Sequence, residues 1–213
     1  MKYKNKYDDI YKTDVPARWE ISPSHEVFYF FIKKYIHITE NILEIGCGRG
    51  VFLAMIQKTC KNHQLHGIDI SKEAIVQGKK IYPHLHLDVQ NACQLDYSDN
   101  WSSLTFSIGC FEHFEDPQKA LLEMSRTLRP GGKFMLLMPT LGVDPLGLTD
   151  IGREDEGWYE EKIVTNGFRQ FQWNFRRSTW EKMFIKAGLH LYPVEFSSQF
   201  GAINAGVFYC GEK

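Results

Sequence analysis

No apolar run in this chain approaches the roughly 18 residues of a membrane-crossing helix, so no such span is expected. The opening Met1-Lys2-Tyr3-Lys4-Asn5-Lys6 is charged and has no apolar stretch behind it, so it does not read as a secretory signal. Net charge is nearly absent, −1 over 213 residues, which removes the global electrostatic case for binding a nucleic-acid polymer. No C-x-x-C pair occurs, and the five cysteines, at 47, 60, 93, 110 and 210, form an odd, scattered set. They read as free, mostly buried thiols in a reducing cytoplasm. Repeats and low-complexity tracts are also missing. What is present is ordinary for a globular protein: 43% hydrophobic and 24% charged residues, enough for one domain over 1–213 with a good core.

One stretch organises the rest: Asn41-Ile42-Leu43-Glu44-Ile45-Gly46-Cys47-Gly48-Arg49-Gly50. Ile42 to Ile45 reads as a short buried strand. It breaks at three glycines on alternate positions. Val51, Phe52, Met55 and Ile56 then fall on one face of a helix. Glycine suits such a turn because it takes positive φ and lets a ligand reach the bare backbone. The helix beyond is expected to present unpaired N–H groups and its positive dipole end to a nucleoside-like ligand.

A dinucleotide fingerprint would need a further glycine at 51, where this chain has Val51. A nicotinamide dehydrogenase is therefore the least favoured reading. The pattern is instead acid-x-Gly-x-Gly-x-Gly, led by Glu44. It resembles the first motif of the class I S-adenosylmethionine-dependent methyltransferases, and the resemblance runs from about Ile42 to Pro139. It implies an α/β fold: a Rossmann-like, seven-stranded, mostly parallel sheet with helices on both faces, closed by an antiparallel hairpin. It implies S-adenosylmethionine as cofactor and S-adenosylhomocysteine as product. It places Glu44, Gly46, Cys47, Gly48 and Gly50 against the cofactor.

Residues 1–21 read as an arm or short helix. Tyr11 and Trp19 either cover the site, as an N-terminal aromatic segment often does in methyltransferases of similar architecture, or Trp19 folds onto the core. As a lid, Trp19 would meet the cofactor and Tyr11 the acceptor. A helix is expected from Ser22-Pro23 to about His37. Leu65 to Ile70 forms the second strand, with Asp69 at its end, 69 − 50 = 19 residues beyond Gly50. An acid about 20 residues past the glycine turn can accept from ribose hydroxyls; alternatively it caps the helix opening at Ser71. Ile70 would lie beside it. His84 and His86 alternate along the third strand and read as its polar face; no metal site is expected. Asn91-Ala92 stands where relatives carry Asp-Ala next to adenine, and Asp88 is the fallback acceptor.

After a fourth strand, Leu104 to Ile108, comes Gly109-Cys110-Phe111-Glu112-His113-Phe114-Glu115-Asp116-Pro117, similar to the family's Glu-His-x-x-Asp-Pro stretch. Gly109 would contact the cofactor. His113 is the candidate base and an acceptor contact; otherwise Glu112 and His113 only shape the loop. Asn-Pro-Pro-aromatic, the mark of methylases acting on nucleobase amines, is absent. Arg129-Pro130-Gly131-Gly132 is expected to reverse the chain into a fifth strand, Lys133 to Pro139.

The connection at 140–177 far exceeds the usual length of about 4–6 residues. A helix is possible near Glu154 to Val164. Trp158, Trp173 and Arg176 are candidates for gripping the acceptor, within either a capping subdomain or an inserted lid. A last helix over Ser178 to Ala187 and two tightly joined strands, Leu189 to Phe200 and Ala202 to Cys210, complete the chain. The reading is methyl transfer to an oxygen, nitrogen or sulfur atom, with oxygen or nitrogen favoured. The acceptor would be a small molecule such as a sugar, an amino acid derivative or a phenol. The protein would be cytoplasmic, a monomer or homodimer, with no membrane or nucleic-acid partner. Methylation of a tRNA or protein, or a non-catalytic cofactor-binding module, are the alternatives.

Overall fold

The central strand β1, Asn41–Ile45, is buried along nearly its whole length, as a strand covered on both faces must be. Leu43 and Ile45 point into one core and Ile42 into the other. The computed structural model describes residues 4–12, 23–36, 40–59, 64–139, 159–164, 168–173, 175–193 and 206–213. Helices α1 (Lys4–Lys12) and α2 (Pro23–Ile36) precede β1. After it come α3 (Val51–Gln57), β2 (Gln64–Asp69), α4 (Lys72–Ile81), β3 (His86–Val89) and β4 (Ser102–Ile108). The chain continues through α5 (Pro117–Thr127), β5 (Leu128–Pro139), β6 (Tyr159–Val164), β7 (Phe168–Trp173), α6 (Arg177–Lys186), β8 (His190–Leu191) and β9 (Gly206–Glu212).

The main sheet has seven strands in the order β3-β2-β1-β4-β5-β9-β8. The first five run parallel, while β9 is antiparallel to both β5 and β8. This is the expected mostly parallel sheet with closing antiparallel strands. Phe28, Ile32 and Ile36 of α2 pack with Phe52 and Ile56 of α3 and Ile75 of α4 on one face. Leu121 and Met124 of α5 pack with Trp180 and Phe184 of α6 on the other. Strand order reverses between β1 and β4, and the carboxyl ends of those two strands bound the crevice where such sheets take ligands.

Two expectations differ from the structure. Where a helix near 154–164 was expected, Tyr159–Val164 is a strand, paired antiparallel with β7 in register Val164↔Phe168 to Tyr159↔Trp173. Asn166-Gly167, between β-branched Ile163-Val164 and an aromatic run, is a hairpin signal that outweighs the helical preference of Glu160-Glu161-Lys162. The fifth strand also begins earlier, at Leu128. Leu128 pairs with Ser102 and Lys133 with Leu104, so the Arg-Pro-Gly-Gly stretch bulges within the strand. Gly131 there takes φ 70° and donates its N–H to the Lys213 carbonyl. The expected tight junction of the last two strands lies outside the described residues.

Candidate functional site

The three glycines of the turn all take positive φ: Gly46 78°, Gly48 53° and Gly50 79°. A side chain is excluded sterically as well. A Cβ on Gly46 would come within 2.3 Å of the Cys110 Sγ, and one on Gly48 within 2.5 Å of the Tyr11 hydroxyl. Within the turn itself the glycine N–H groups are engaged. Gly46 and Cys47 both donate to the Ile68 carbonyl, Gly48 donates to Asp69 Oδ2 at 2.9 Å, and Gly50 donates to the Cys47 carbonyl. The turn is thus closed onto β2, and what it presents is side-chain-free backbone.

Asp69 joins that turn to α4. Its second oxygen accepts from the Ser71 N–H at 2.8 Å. Ser71, not Asp69, caps α4, its hydroxyl accepting from Ala74. Burial pushes the Asp69 carboxyl above its usual range, while the amides of Ser71, Gly48 and Ile70 pull the other way. A carboxylate has about four lone-pair sites, so acceptor capacity remains beyond the two amides. Glu44, on β1, is 4% exposed, and its Oε2 has no hydrogen-bond partner. Burial, reinforced by the charge of Asp69, pushes Glu44 well above the ordinary carboxylate range. The Cys47 and Cys110 thiols are likewise raised, chiefly by burial.

α1 closes one side. Asp8 Oδ1 accepts from the Ser71 hydroxyl at 2.7 Å and from the Glu73 N–H at 3.0 Å, an added cap on α4. The Tyr11 carbonyl accepts from Gln77. Tyr11 is thereby held over Gly48. Burial, then the charge of Asp69, drives its phenol well above the usual value.

The opposite wall follows β4. Gly109, at φ 63°, turns the chain into a short 3-10 turn, Phe111–His113. Glu112 is 1% exposed, with Oε2 unpartnered, and burial raises its carboxyl to about 8. Its Oε1 lies 3.5 Å from His113 Nε2. After burial, the charges of Asp69, Glu112 and Glu44 all raise the Cys110 thiol.

On the adenine-side candidates, Asn91 spends its side-chain oxygen on the Cys93 N–H at 3.0 Å, and Ala92 is buried beside it. Asp88 is exposed and pairs with Lys79 at 3.3 Å. Ile70 is half-buried beside Asp69. His86 stacks on His66 with ring centroids 4.6 Å apart, and among the described residues no group of side chains could hold a metal ion.

Of the acceptor-side candidates, Trp173 donates its indole N–H to the Phe114 carbonyl at 2.7 Å and stacks on Phe175. It ties β7 to the turn carrying His113. Arg176 is half-buried at the N-cap of α6. Trp19 and Trp158 lie outside the described residues. Sequence reasoning did not single out Glu112 as a buried acid, nor Cys110 or Asp8. The Glu-His pair was the only local signal for Glu112, and nothing local marks Asp8 as a cap on a helix 65 positions on.

Residues 43–136 match the family described as "Methyltransferase domain". The chain is 32% identical over 104 residues to the norajmaline N-methyltransferase of Rauvolfia serpentina, covering 46% of this chain and 35% of that protein. It is 31% identical over 118 residues to the ubiquinone/menaquinone biosynthesis C-methyltransferase of Rickettsia bellii, covering 50% of this chain and 47% of that protein. The chain thus spans less than half the length of these relatives. Among solved structures, the Burkholderia thailandensis 1,6-didemethyltoxoflavin-N1-methyltransferase superposes with TM-score 0.71 at 13% identity, over 99% of this chain and 86% of that one. That likeness is one of fold.

Proposed function

We propose, from the premise that this chain belongs to the class I S-adenosylmethionine-dependent methyltransferases, that it binds S-adenosylmethionine at the glycine turn. We propose further that it methylates an oxygen or nitrogen atom of a small molecule. The observation that carries the reading is the charge of the crevice. Glu44 and Glu112 are buried and Asp69 is half-buried, all three raise the Cys110 thiol, Glu44 and Glu112 each have an unpartnered oxygen, and the causes that dominate their shifts include no cationic side chain. Burying carboxyls without a counter-charge costs several kcal/mol, which a cationic ligand relieves. S-adenosylmethionine brings positive charge on its amino group and on a sulfur that already carries an activated methyl group.

The side-chain-free turn at Gly46, Gly48 and Gly50 gives such a ligand close approach to the backbone. Glu44 is assigned to its amino end, Asp69 to the ribose hydroxyls, and Ile70, Asn91 and Ala92 to adenine. Cys47 and Gly109 line the crevice, and Trp19 is assigned to its cover. His113 takes the proton of an acceptor that arrives protonated. Tyr11, Trp158, Trp173 and Arg176 are assigned to the acceptor pocket, Trp173 through its ring because its N–H is engaged. Alignment and exclusion of water are the main contributions asked of the protein. A small acceptor is favoured by the net charge of −1 and by the aromatic insertion. Cys47, Cys93, Cys110 and Cys210 are not in disulfides, which fits a reducing cytoplasm; no described helix is long and apolar enough to cross a membrane.

Calorimetric titration tests the reading. S-adenosylmethionine and S-adenosylhomocysteine should bind and a nicotinamide dinucleotide should not. Labelled methyl should then pass to members of a small-molecule acceptor panel. The absence of binding by S-adenosylmethionine, or preferential binding of the dinucleotide, would overturn it.

A further inference from the structure

We infer that Glu112 is a positioning residue that acts through His113, the two side chains sharing one proton between Oε1 and Nε2. The inference deepens the methyl-transfer reading and rests on it for its chemical purpose.

Three observations support the pair. First, Glu112 is almost fully buried, with its Oε2 unpartnered, an expensive arrangement for a residue that only shapes a loop. Second, Oε1 stands 3.5 Å from Nε2, slightly beyond hydrogen-bond length, and bonds of this kind are often long in ligand-free sites and tighten on binding. Third, the turn that carries both residues is braced from outside. Trp173 of β7 donates to Phe114, and a Cβ on Gly109 would sit 3.6 Å from Glu112 Oε1, so the carboxyl is packed against the strand exit.

Few groups compete for that carboxyl. His113 and the Cys110 thiol face it from its own segment. Of the elements packed on the turn, α5 offers Gln118, which donates to the Met183 carbonyl, and β7 offers Gln172 and Trp173. Burial alone raises Glu112; its own amide partly offsets this, and no charged group of α5, β5 or β7 contributes among the described residues.

The proton balance follows. A hydroxyl acceptor loses one proton as its oxygen bonds the methyl carbon and the sulfur–methyl bond breaks, the electron pair staying on sulfur in neutral S-adenosylhomocysteine. That proton passes to the ring nitrogen of His113 that faces away from Glu112. In the ionised form of Glu112, whose share grows as pH rises through about 8, the proton on Nε2 passes to Oε1, so a carboxylate becomes a carboxylic acid and the imidazole stays neutral. No positive charge is left on the ring inside the crevice. Acceptors whose attacking atom carries a proton in its resting form are the class this pair suits.

The test is a pH titration of the His113 ring resonances by NMR, on the whole chain. In the wild type the ring should report two steps, the upper one near the value of about 8 set for Glu112. In Glu112→Gln only one step should remain. Turnover in that variant should fall on the order of tenfold or more and lose the Glu112 step from its pH profile, with KM and cofactor affinity within about twofold. If Glu112→Gln does not fold, the wild-type curve decides alone: two steps support the pair, one step overturns it. An identical single-step curve in both proteins also overturns it. A two-step curve in a protein that fails to bind S-adenosylmethionine would uphold the pair while sinking the methyl-transfer reading.

Discussion

Tyr11 lies with its hydroxyl directly against Gly48, so close that a methyl group on the glycine would come within 2.5 Å of the phenol oxygen. Gly48 also takes φ 53°, which L side chains rarely adopt. Gly48→Ala should therefore destabilise by about 1–3 kcal/mol and abolish measurable cofactor binding. Adding Tyr11→Ala should restore only part of the stability, because it removes the contact but not the backbone strain. Denaturant unfolding of the single and double variants checks both.

Asp69 holds two backbone amides, those of Gly48 and Ser71. Asp69→Ala should weaken S-adenosylmethionine binding by at least tenfold in calorimetry. Leaving buried donors unmade costs about 1–3 kcal/mol each, so stability should fall as well. Unchanged affinity would refute the ribose assignment.

His113→Ala should cut turnover by about a hundredfold or more, with cofactor affinity kept within a few fold. Wild-type turnover in that variant would remove His113 from the chemistry.

Stability should fall on both sides of a weakly acidic optimum. Burial, then the neighbouring His86, lowers His66 to about 4, so the unfolded chain binds a proton first, and stability is lost as pH falls from about 6.5 to 4. After discounting for its partial exposure, His66 accounts for about 1–2 kcal/mol of that loss. Glu112 runs the other way. Its raised carboxyl contributes stability that is complete below the unfolded value of about 4.5 and lost as pH rises through about 8. His66→Gln should flatten the acid limb and Glu112→Gln the alkaline one, read from urea midpoints across pH.

Much of the site was legible because its constraints are local. Three alternate glycines after a buried strand have one economical reading, and all three take positive φ. Spacing put Asp69 at the end of β2, where its carboxylate accepts from the Gly48 amide of the neighbouring turn. Trp173 was noticed as an aromatic, but its bond to Phe114 joins residues 59 positions apart. Asp8 capping α4 is equally non-local. The β6–β7 hairpin was masked by a Glu-Glu-Lys run that favours a helix on its own. Glu112 was hidden because a run of acids reads as solvated until the packing above it is known.

The Trp173–Phe114 bond makes the hairpin and the turn carrying His113 one mechanical piece. Grafting a relative's hairpin in place of 159–173 would therefore not exchange acceptor choice cleanly. Whatever reshapes the outer wall also re-aims the imidazole, so selectivity and speed would change together in such chimeras. Restoring speed would then take repairs near Phe114, some distance from the grafted loop.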